Sequence, residues 1–371
     1  MGLVRLPLFA LLLPALIFTH EALAQQPHKL VVISIDGFDA RFLNDPSLHV
    51  KIPNIRALVR KGVSASVIGV GTPAADLLAD ERSVMKAANV FFPGTGFAFN
   101  FPEASGNQFD AVAQKSSPAG VIDKIEAMFP RFEKQLWDDS SSTQAATWVL
   151  ATGSPDLVAV HLTDVESEQK TTGAISVYTR EALENDDELI GQMLAKVPKG
   201  TIIAIVSNHG AENANYVVRP SVLLKARVEV ENGLIGTTDR AIAERIRKLM
   251  TDRKKHGIAR EVPMAEVRAR YPELGKWVAA FDTPQNYVAS AEDKGPALGP
   301  GTHLAVWDLW PARPQFRSVF VIAGDGLQNK KLGEIDMRAI APTLADVVGS
   351  KLLDSHPDAK AKSLWPSLRK D

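Results

Sequence analysis

Short apolar runs alternate with amphipathic segments along most of the chain. Residues 28–38, HKLVVISIDGF, form a nearly continuous apolar run, which is typical of a strand covered on both faces of a parallel sheet. Residues 51–63, KIPNIRALVRKGV, combine a Pro-Asn start with an apolar stripe, which predicts a helix. This alternation predicts an α/β fold built on a doubly wound, mainly parallel sheet. Further strands are predicted at 64–71, 86–94, 155–164, 200–208 and 317–326, and further helices at 141–153, 176–197 and 336–349.

The pattern changes between residues 213 and 300, where charged helical segments such as AIAERIRKLMTDRKKHGI are separated by short strands. This change predicts a smaller cap or peripheral region, called the insert below, within the α/β protein. The core is accordingly predicted to comprise residues 25–212 and 301–350, and residues 351–371 to form a polar C-terminal tail.

The first 24 residues have the pattern of a secretory signal peptide. Arg5 precedes an apolar run that continues to Phe18, and the small-residue motif ALA stands just before Gln25. The apolar run is short for a membrane span. The sequence therefore predicts export to the periplasm or the medium, with no stable membrane span after cleavage; the alternative is an uncleaved N-terminal anchor.

The composition of the chain limits its possible partners and the metal ligands that it can offer. The net charge of −1 and the pI near 6.7 provide no basic surface for nucleic acid, so no nucleic-acid partner is predicted. The chain has no cysteine, which excludes both a disulfide framework and a thiolate metal site. Any bound metal must therefore be held by imidazole, carboxylate or amide groups.

Polar residues stand where predicted strands end, and these residues are candidates for a site. Because the carboxyl ends of parallel strands meet at one edge of a sheet, we expect their side chains to lie close together. Carboxylates and imidazoles that converge in this way suit a divalent metal such as zinc. Each residue taken alone also fits a structural role, as a turn, a helix cap or a solvated side chain. The candidates are Asp36, Glu166, Asn208, His209 and His303.

These segments resemble the type I phosphodiesterase/nucleotide pyrophosphatase family of the alkaline phosphatase superfamily. The resemblance implies an alkaline-phosphatase-type sheet with two divalent metals, usually zinc, at its carboxyl edge, and a Thr or Ser that attacks phosphorus. It also implies a phosphate ester or nucleotide-like small molecule as the ligand. The similar segments, in chain order, are VVISIDGF, KIPNIRALVRKGVSAS, NVFFPGTGFAFNFPE, PDLVAVHLTDVESEQKTTGAIS, IVSNHG, GTH and IDMRAIAPTLADVVG.

Transferred residue by residue, the family's metal ligands are only partly present. Asp36, His209 and His303 match their positions. The pattern D-x-x-x-H-x-x-G places Glu166 at the Asp and Lys170 at the His, and an ammonium has no lone pair for a metal. Asn208 stands at an Asp position and offers a neutral carbonyl oxygen. The resemblance therefore implies that at most one metal site remains.

The nucleophile position also departs from the family. An ungapped register from Gly62 places Asp76 at the position of the attacking threonine. Thr72 lies nearby but out of register, and it suits the N-cap of a helix that begins at Pro73. The family has a few dozen additional residues, including a helix behind the nucleophile, before the strand that here is NVFFPG.

Three hypotheses follow for the function. The first is an exported family member with impaired catalysis that retains binding of phosphate esters, with an anion site at Lys170, His209 and His303. The second is an active one-metal hydrolase that uses Asp36, Asn208, His209 and Asp76. The third is a decayed gene product without a selected function, whose sheet, deprived of an internal helix, exposes apolar surface and aggregates.

Overall fold

The computed structural model describes residues 27–69, 87–90, 97–99, 119–132, 138–153, 155–307, 309–350 and 361–370. The strands are β1 (Leu30–Ile35), β2 (Val63–Ile68), β3 (Ala87–Val90), β4 (Phe97–Phe99), β5 (Leu157–Leu162), β6 (Ile202–Val206), β7 (Glu212–Asn213), β8 (Tyr216–Val218), β9 (Glu229–Glu231), β10 (Leu234–Thr237), β11 (Arg260–Val262), β12 (Ala279–Asp282), β13 (Tyr287–Ala289), β14 (Leu298–Pro300), β15 (Ala305–Val306), β16 (Ser318–Ala323) and β17 (Lys330–Asp336). The α-helices are α1 (Ala40–Asn44), α2 (Pro53–Lys61), α3 (Val121–Met128), α4 (Asp139–Thr152), α5 (Asp164–Thr172), α6 (Val177–Leu194), α7 (Pro220–Leu224), α8 (Arg240–Leu249), α9 (Arg253–His256), α10 (Met264–Arg270), α11 (Ile340–Val348) and α12 (Trp365–Leu368).

An eight-stranded sheet forms the centre of the molecule, in the order β17-β2-β16-β6-β1-β5-β3-β4. β16 runs antiparallel to both of its neighbours, and the other strand pairs of this sheet are parallel. Ile35 pairs with Leu162 of β5, and Ser34 pairs with Val206 of β6. The three central strands therefore end at the same edge, and the predicted α/β fold with a mainly parallel sheet is confirmed.

Apolar residues cover both faces of this sheet. Alternate residues of β1 point to opposite sides: Val31, Ile33 and Ile35 belong to one core cluster, and Leu30 and Val32 to another. The first cluster includes buried residues of α2, α3, α4 and α6, and the second includes buried residues of α11 and α12. Because both faces of the strand are buried, β1 is apolar at every position except the buried Ser34.

Smaller sheets accompany the central one. The insert contains a four-stranded sheet, β11-β12-β10-β9, with its own apolar clusters around Phe281 and Trp277. There is also a three-stranded sheet, β13-β8-β14, and a two-stranded sheet, β15-β7. Each combines strands that precede and strands that follow the four-stranded sheet in the sequence. Among the described residues, no helix is both long and apolar enough to cross a membrane.

The last described residues pack on the core. Trp365 and Leu368 are buried in the cluster that also contains α11, and Leu327 forms a β-bridge with Arg369. The segment predicted as a polar tail thus ends in a turn of helix with two buried apolar side chains. The proposed boundaries of the core, the insert and the tail stay a prediction.

Candidate functional site

Asp36 follows β1 directly and is 9% exposed. Its backbone N–H donates to the Leu162 carbonyl at 2.9 Å, which keeps the strand edge paired. Its Oδ2 lies 2.8 Å from Nε2 of His161, while its Oδ1 is buried and has no hydrogen-bond partner among the described residues. The sequence analysis missed His161; the available signal was a single polar residue inside the apolar strand LVAVHL.

Asn208 holds the turn after Asp36. Its Oδ1 accepts a hydrogen bond of 3.0 Å from the backbone N–H of Gly37. On the other side of the same turn, the buried Gln169 donates its Nε2 to the Gly37 carbonyl at 3.0 Å. Gly37 has a φ of +74°, a backbone conformation that glycine adopts readily. Asn208 therefore has a structural role here, which its neutral carbonyl oxygen is able to perform.

Glu166, Lys170 and His209 are in direct contact beside this turn. Lys170 Nζ donates to Glu166 Oε2 at 2.7 Å, and His209 Nε2 lies 3.4 Å from Glu166 Oε1. The indole of Trp307 stacks on the His209 ring with a centroid separation of 5.0 Å, and Lys170 Nζ lies 5.2 Å from the Trp307 ring centroid. His209 Nδ1 is buried, and no described residue forms a hydrogen bond with it. Trp307 is a second residue that the sequence analysis missed.

The carboxylate at the centre of this contact is held in its ionised form. Burial raises the pKa of Glu166, but the hydrogen bonds from His209 and Lys170 and the charge of Lys170 outweigh burial and lower it to about 2. Glu166 and Lys170 are four residues apart on α5, so the helix itself sets their separation. The group thus combines one permanent anion, one cation and one imidazole.

Replacing Glu166 with glutamine should destabilise the protein in a pH-dependent way. Because the folded-state pKa is lowered, the stabilisation by Glu166 is present above about pH 4.5 and is lost as the pH falls through about 2. We expect the Glu166→Gln variant to lose about 1–3 kcal/mol in the free energy of unfolding near neutral pH. Urea titrations at several pH values measure the loss. The exposed Glu181→Gln on α6 is the control, and an equal, pH-independent loss in both variants would contradict the prediction.

His303 lies in the loop before β15 with an exposed side chain and a positive φ of 62°. Its Nδ1 is 3.2 Å from Asn215 Oδ1, and its backbone N–H donates to the Ala214 carbonyl. Among the described residues it forms no hydrogen bond with Asp36, Glu166 or His209. The structure thus groups most of the predicted residues around one strand edge and places His303 on the neighbouring loop.

Two predicted residues, Thr72 and Asp76, lie outside the described residues, as does the predicted signal peptide. Within the described residues, one group of three carboxylate or imidazole side chains brings its ligand atoms within 4.8 Å of one another, and it is Asp139, Asp164 and Asp186. The sequence analysis did not select this group. Its residues come from three helices, α4, α5 and α6.

The sequence model of the Type I phosphodiesterase / nucleotide pyrophosphatase family matches residues 69–318. Human ectonucleotide pyrophosphatase/phosphodiesterase 5 is similar in structure, with a TM-score of 0.57, 12% identity, and coverage of 92% of this chain and 100% of that chain. The murine protein gives a TM-score of 0.58 at 12% identity, with coverage of 92% and 100%.

An inactive variant of the murine protein in complex with AMP gives a TM-score of 0.55 at 11% identity, with coverage of 88% of this chain and 96% of that chain. At these identities the solved structures show a shared fold, and no curated protein matches the chain. The family match covers β3, β4, β5 and β6 of the central sheet and includes Glu166 and His209 at the strand edge. The chain belongs to the type I phosphodiesterase/nucleotide pyrophosphatase family.

Proposed function

We propose that this chain is an exported phosphate-ester-binding member of its family, in which two-metal hydrolysis is lost or severely weakened. The observation that carries the proposal is the position of Lys170. The family resemblance assigns this position to a metal-binding imidazole, and here an ammonium pairs with Glu166 at 2.7 Å. A cation fixed at this position supplies part of the positive charge that a metal supplies in the family.

The described residues do not fit a two-metal centre. An ammonium has no lone pair, so Lys170 cannot be a ligand, and Asn208 already accepts a hydrogen bond from Gly37. Among the described residues, no three of the carboxylate and imidazole groups at Asp36, Glu166, His209 and His303 bring their ligand atoms within 4.8 Å of one another. No catalytic step through a metal pair is therefore derived.

The same geometry suits an anion. Lys170 is half exposed, with 49% of its side chain accessible, so its ammonium can meet a ligand while it pairs with Glu166. The imidazole of His209 lies beside this ion pair, with its Nε2 3.4 Å from Glu166 Oε1, so the ammonium and the imidazole meet at the same carboxylate. AMP is the first ligand to test, because a structural neighbour is described in complex with AMP.

A one-metal hydrolase is the second candidate, favoured by two ligand atoms. Within the part of the chain that the structure describes, Asp36 Oδ1 and His209 Nδ1 are both buried without a hydrogen-bond partner, and both residues occupy family ligand positions. Asn208 lies beside them, and Asp76 provides a further carboxylate in this hypothesis. In this candidate a single metal would supply Lewis-acid chemistry, while the Lys170 ammonium, held by Glu166, would donate hydrogen bonds to the phosphate oxygens.

Neutralising Lys170 tests the binding proposal. In the chelator-treated mature protein, Lys170→Met should weaken the binding of AMP and of inorganic phosphate by about tenfold or more, because a charge-assisted hydrogen bond contributes about 1.5–3 kcal/mol. Isothermal titration calorimetry measures the affinity. Lys199→Met, an exposed lysine outside the site, is the matched control and should bind like the wild type. Equal affinities in all three proteins would refute a binding role for Lys170.

Metal content and hydrolysis separate the two candidates. Elemental analysis of the purified protein is combined with hydrolysis of bis(p-nitrophenyl) phosphate in the presence of zinc. Absent turnover with AMP binding supports the proposed function, and one metal with turnover supports the one-metal hydrolase. Two bound metals with turnover would overturn both candidates and restore the family's own machinery.

A further inference from the structure

Three aspartates from three helices meet beside β5. Asp139 lies in the first turn of α4, Asp164 begins α5, and Asp186 lies in the middle of α6. One carboxylate oxygen from each lies within 4.8 Å of the other two. Asp139 is 2% exposed and Asp186 is fully buried. The cluster has no residue in common with the group of Glu166, Lys170 and His209, although Asp164 lies on the same helix as Glu166 and Lys170.

Two of the three carboxylates are fixed by the backbone. Asp139 accepts hydrogen bonds from the N–H groups of Thr163 and Asp164, at 2.8 and 2.9 Å. Asp164 in turn accepts from the Asp139 N–H at 3.2 Å. These N–H groups belong to the first turns of α4 and α5, where the helix dipoles favour negative charge. The backbone therefore holds both carboxylates in place, and one oxygen of each lies within 4.8 Å of an Asp186 oxygen.

The environment of the Asp186 side chain is the feature of this cluster that indicates a ligand. It comes from a different helix, and among the described residues no group other than a protonated Asp139 carboxyl donates a hydrogen bond to its two buried carboxylate oxygens. Within the described part of the chain, no lysine, arginine or histidine forms an ion pair with any of the three aspartates. A buried carboxylate without a donor or counter-charge is strongly unfavourable, so a proton or a cation must neutralise it.

We propose that Asp139, Asp164 and Asp186 bind a hard divalent cation of the size of calcium. Carboxylate oxygens are the preferred ligands of such cations, and three of them supply up to six oxygen atoms. The burial of the cluster favours Ca²⁺ over Mg²⁺, because Mg²⁺ keeps several of its waters. The site contains no imidazole, which distinguishes it from the zinc positions of the family.

Protons compete with a cation for the three carboxylates. Burial, together with the neighbouring Asp164 charge, raises the pKa of Asp139 to about 7. Burial likewise raises the pKa of Asp164, and it raises that of Asp186, next to the Asp139 charge, well above its ordinary value. Without a cation, the cluster therefore retains protons near neutral pH, and binding of a cation releases them.

Calcium binding to the chelator-treated mature protein tests the proposal, at about pH 8, where the cation competes best with protons. Calorimetry should show one Ca²⁺ per chain, bound at least about tenfold more tightly than Mg²⁺, and the melting temperature should rise with CaCl₂. Asp186→Asn should abolish this binding. Glu188→Gln, on the exposed face of the same helix, should bind like the wild type.

Two further variants test whether the loss of Ca²⁺ binding is specific to this cluster. Asp36→Asn should retain full Ca²⁺ binding, which separates this cluster from the strand edge. If Asp186→Asn does not fold, Asp139→Asn is tested for the same loss, and the wild-type isotherm still decides whether calcium binds. Absence of wild-type binding at millimolar Ca²⁺, or equal binding by wild type and a folded Asp186→Asn or Asp139→Asn protein, would overturn the proposal in favour of a shared proton.

Discussion

Replacing Arg313 with methionine is expected to lower the free energy of unfolding by about 3–5 kcal/mol. The Arg313 side chain is 4% exposed and donates Nη1–H to the carboxylate of Glu212. Its Nη2 donates to Asp282 Oδ1 at 2.5 Å and to the Thr283 carbonyl at 3.0 Å. Loss of the guanidinium removes the ion pair of the buried Glu212, whose pKa burial already raises. It also leaves the buried Asp282 with the half-exposed Arg260 as its cation.

Denaturant titration measures this loss, and Arg338→Met is the control. Arg338 pairs with Asp336 on the surface with 72% of its side chain exposed, so its removal should change stability by less than about 1 kcal/mol. A variant that combines Arg313→Met with Glu212→Gln and Asp282→Asn should recover part of the loss, because it leaves no unpaired buried charge. Similar losses for Arg313→Met and Arg338→Met would contradict the expected role.

The same network connects parts of the chain that are distant in sequence. Glu212 begins β7, just after the strand edge with His209, and Asp282 ends β12 in the four-stranded sheet of the insert. Arg313 lies between β15 and β16 in the sequence, and its side chain contacts both Glu212 and Asp282. The sequence pattern separates the insert from the core by composition, but composition carries no information about which charged residues become buried between them.

The central strands were predictable because their surroundings are uniform. β1, β5 and β6 are buried on both faces, so each is an apolar run bounded by polar residues. Helix α5 was not predicted, because TDVESEQK has no apolar stripe and buries only Val165 and Gln169. Its acidic first turn was the available signal for a helix start.

The site was predictable to the extent that it depends on strand ends. Their positions at strand ends predict Asp36, Glu166 and His209 as site residues, and the structure places Glu166 and His209 in contact. Prediction of α5 would also have shown Glu166 and Lys170 as an ion pair one helical turn apart. His161 and Trp307 depend instead on how neighbouring strands and loops align. Periodicity within one segment does not contain that information.

The acidic cluster shows the same limit for helices. Asp139 and Asp164 are 25 residues apart, and Asp186 lies in ENDDE, which has the composition of a solvated helix face. Asp186 is nevertheless buried, because α6 packs against both α4 and α5 at that point. The adjacent Asp187 has a different role, since it accepts hydrogen bonds from the N–H groups of Asn54 and Ile55 at the start of α2.

At the strand edge, the largest effect is expected from Gly37→Ala, which should lower the free energy of unfolding by about 3 kcal/mol. An alanine at φ +74° is strained by about 1 kcal/mol. Its Cβ would also lie 2.3 Å from Gln169 Oε1. The fully buried Gln169 donates to the carbonyls of Gly37 and Ala174, so its displacement leaves buried polar groups unpaired.

The Gly200→Ala variant separates the cost of backbone strain from the cost of displacing Gln169. Gly200 has a similar φ of +83°, but a Cβ there would meet nothing within 4 Å, so the loss should be about 1 kcal/mol. Denaturant titrations of both variants measure the difference. Equal losses would show that Gln169 moves aside at no cost, and the packing argument would then fail.

Gly37→Ala should also weaken AMP binding, which the Gly200→Ala control should leave unchanged. The Gly37 N–H donates to Asn208, so a shifted turn moves Asn208 and Asp36 relative to His209. Shortening the clashing side chain in a Gly37→Ala, Gln169→Ser double variant should restore part of the affinity as well as part of the stability. Calorimetry on folded protein measures the affinity independently of stability. Unchanged affinity in Gly37→Ala would show that the position of this turn does not control the binding site.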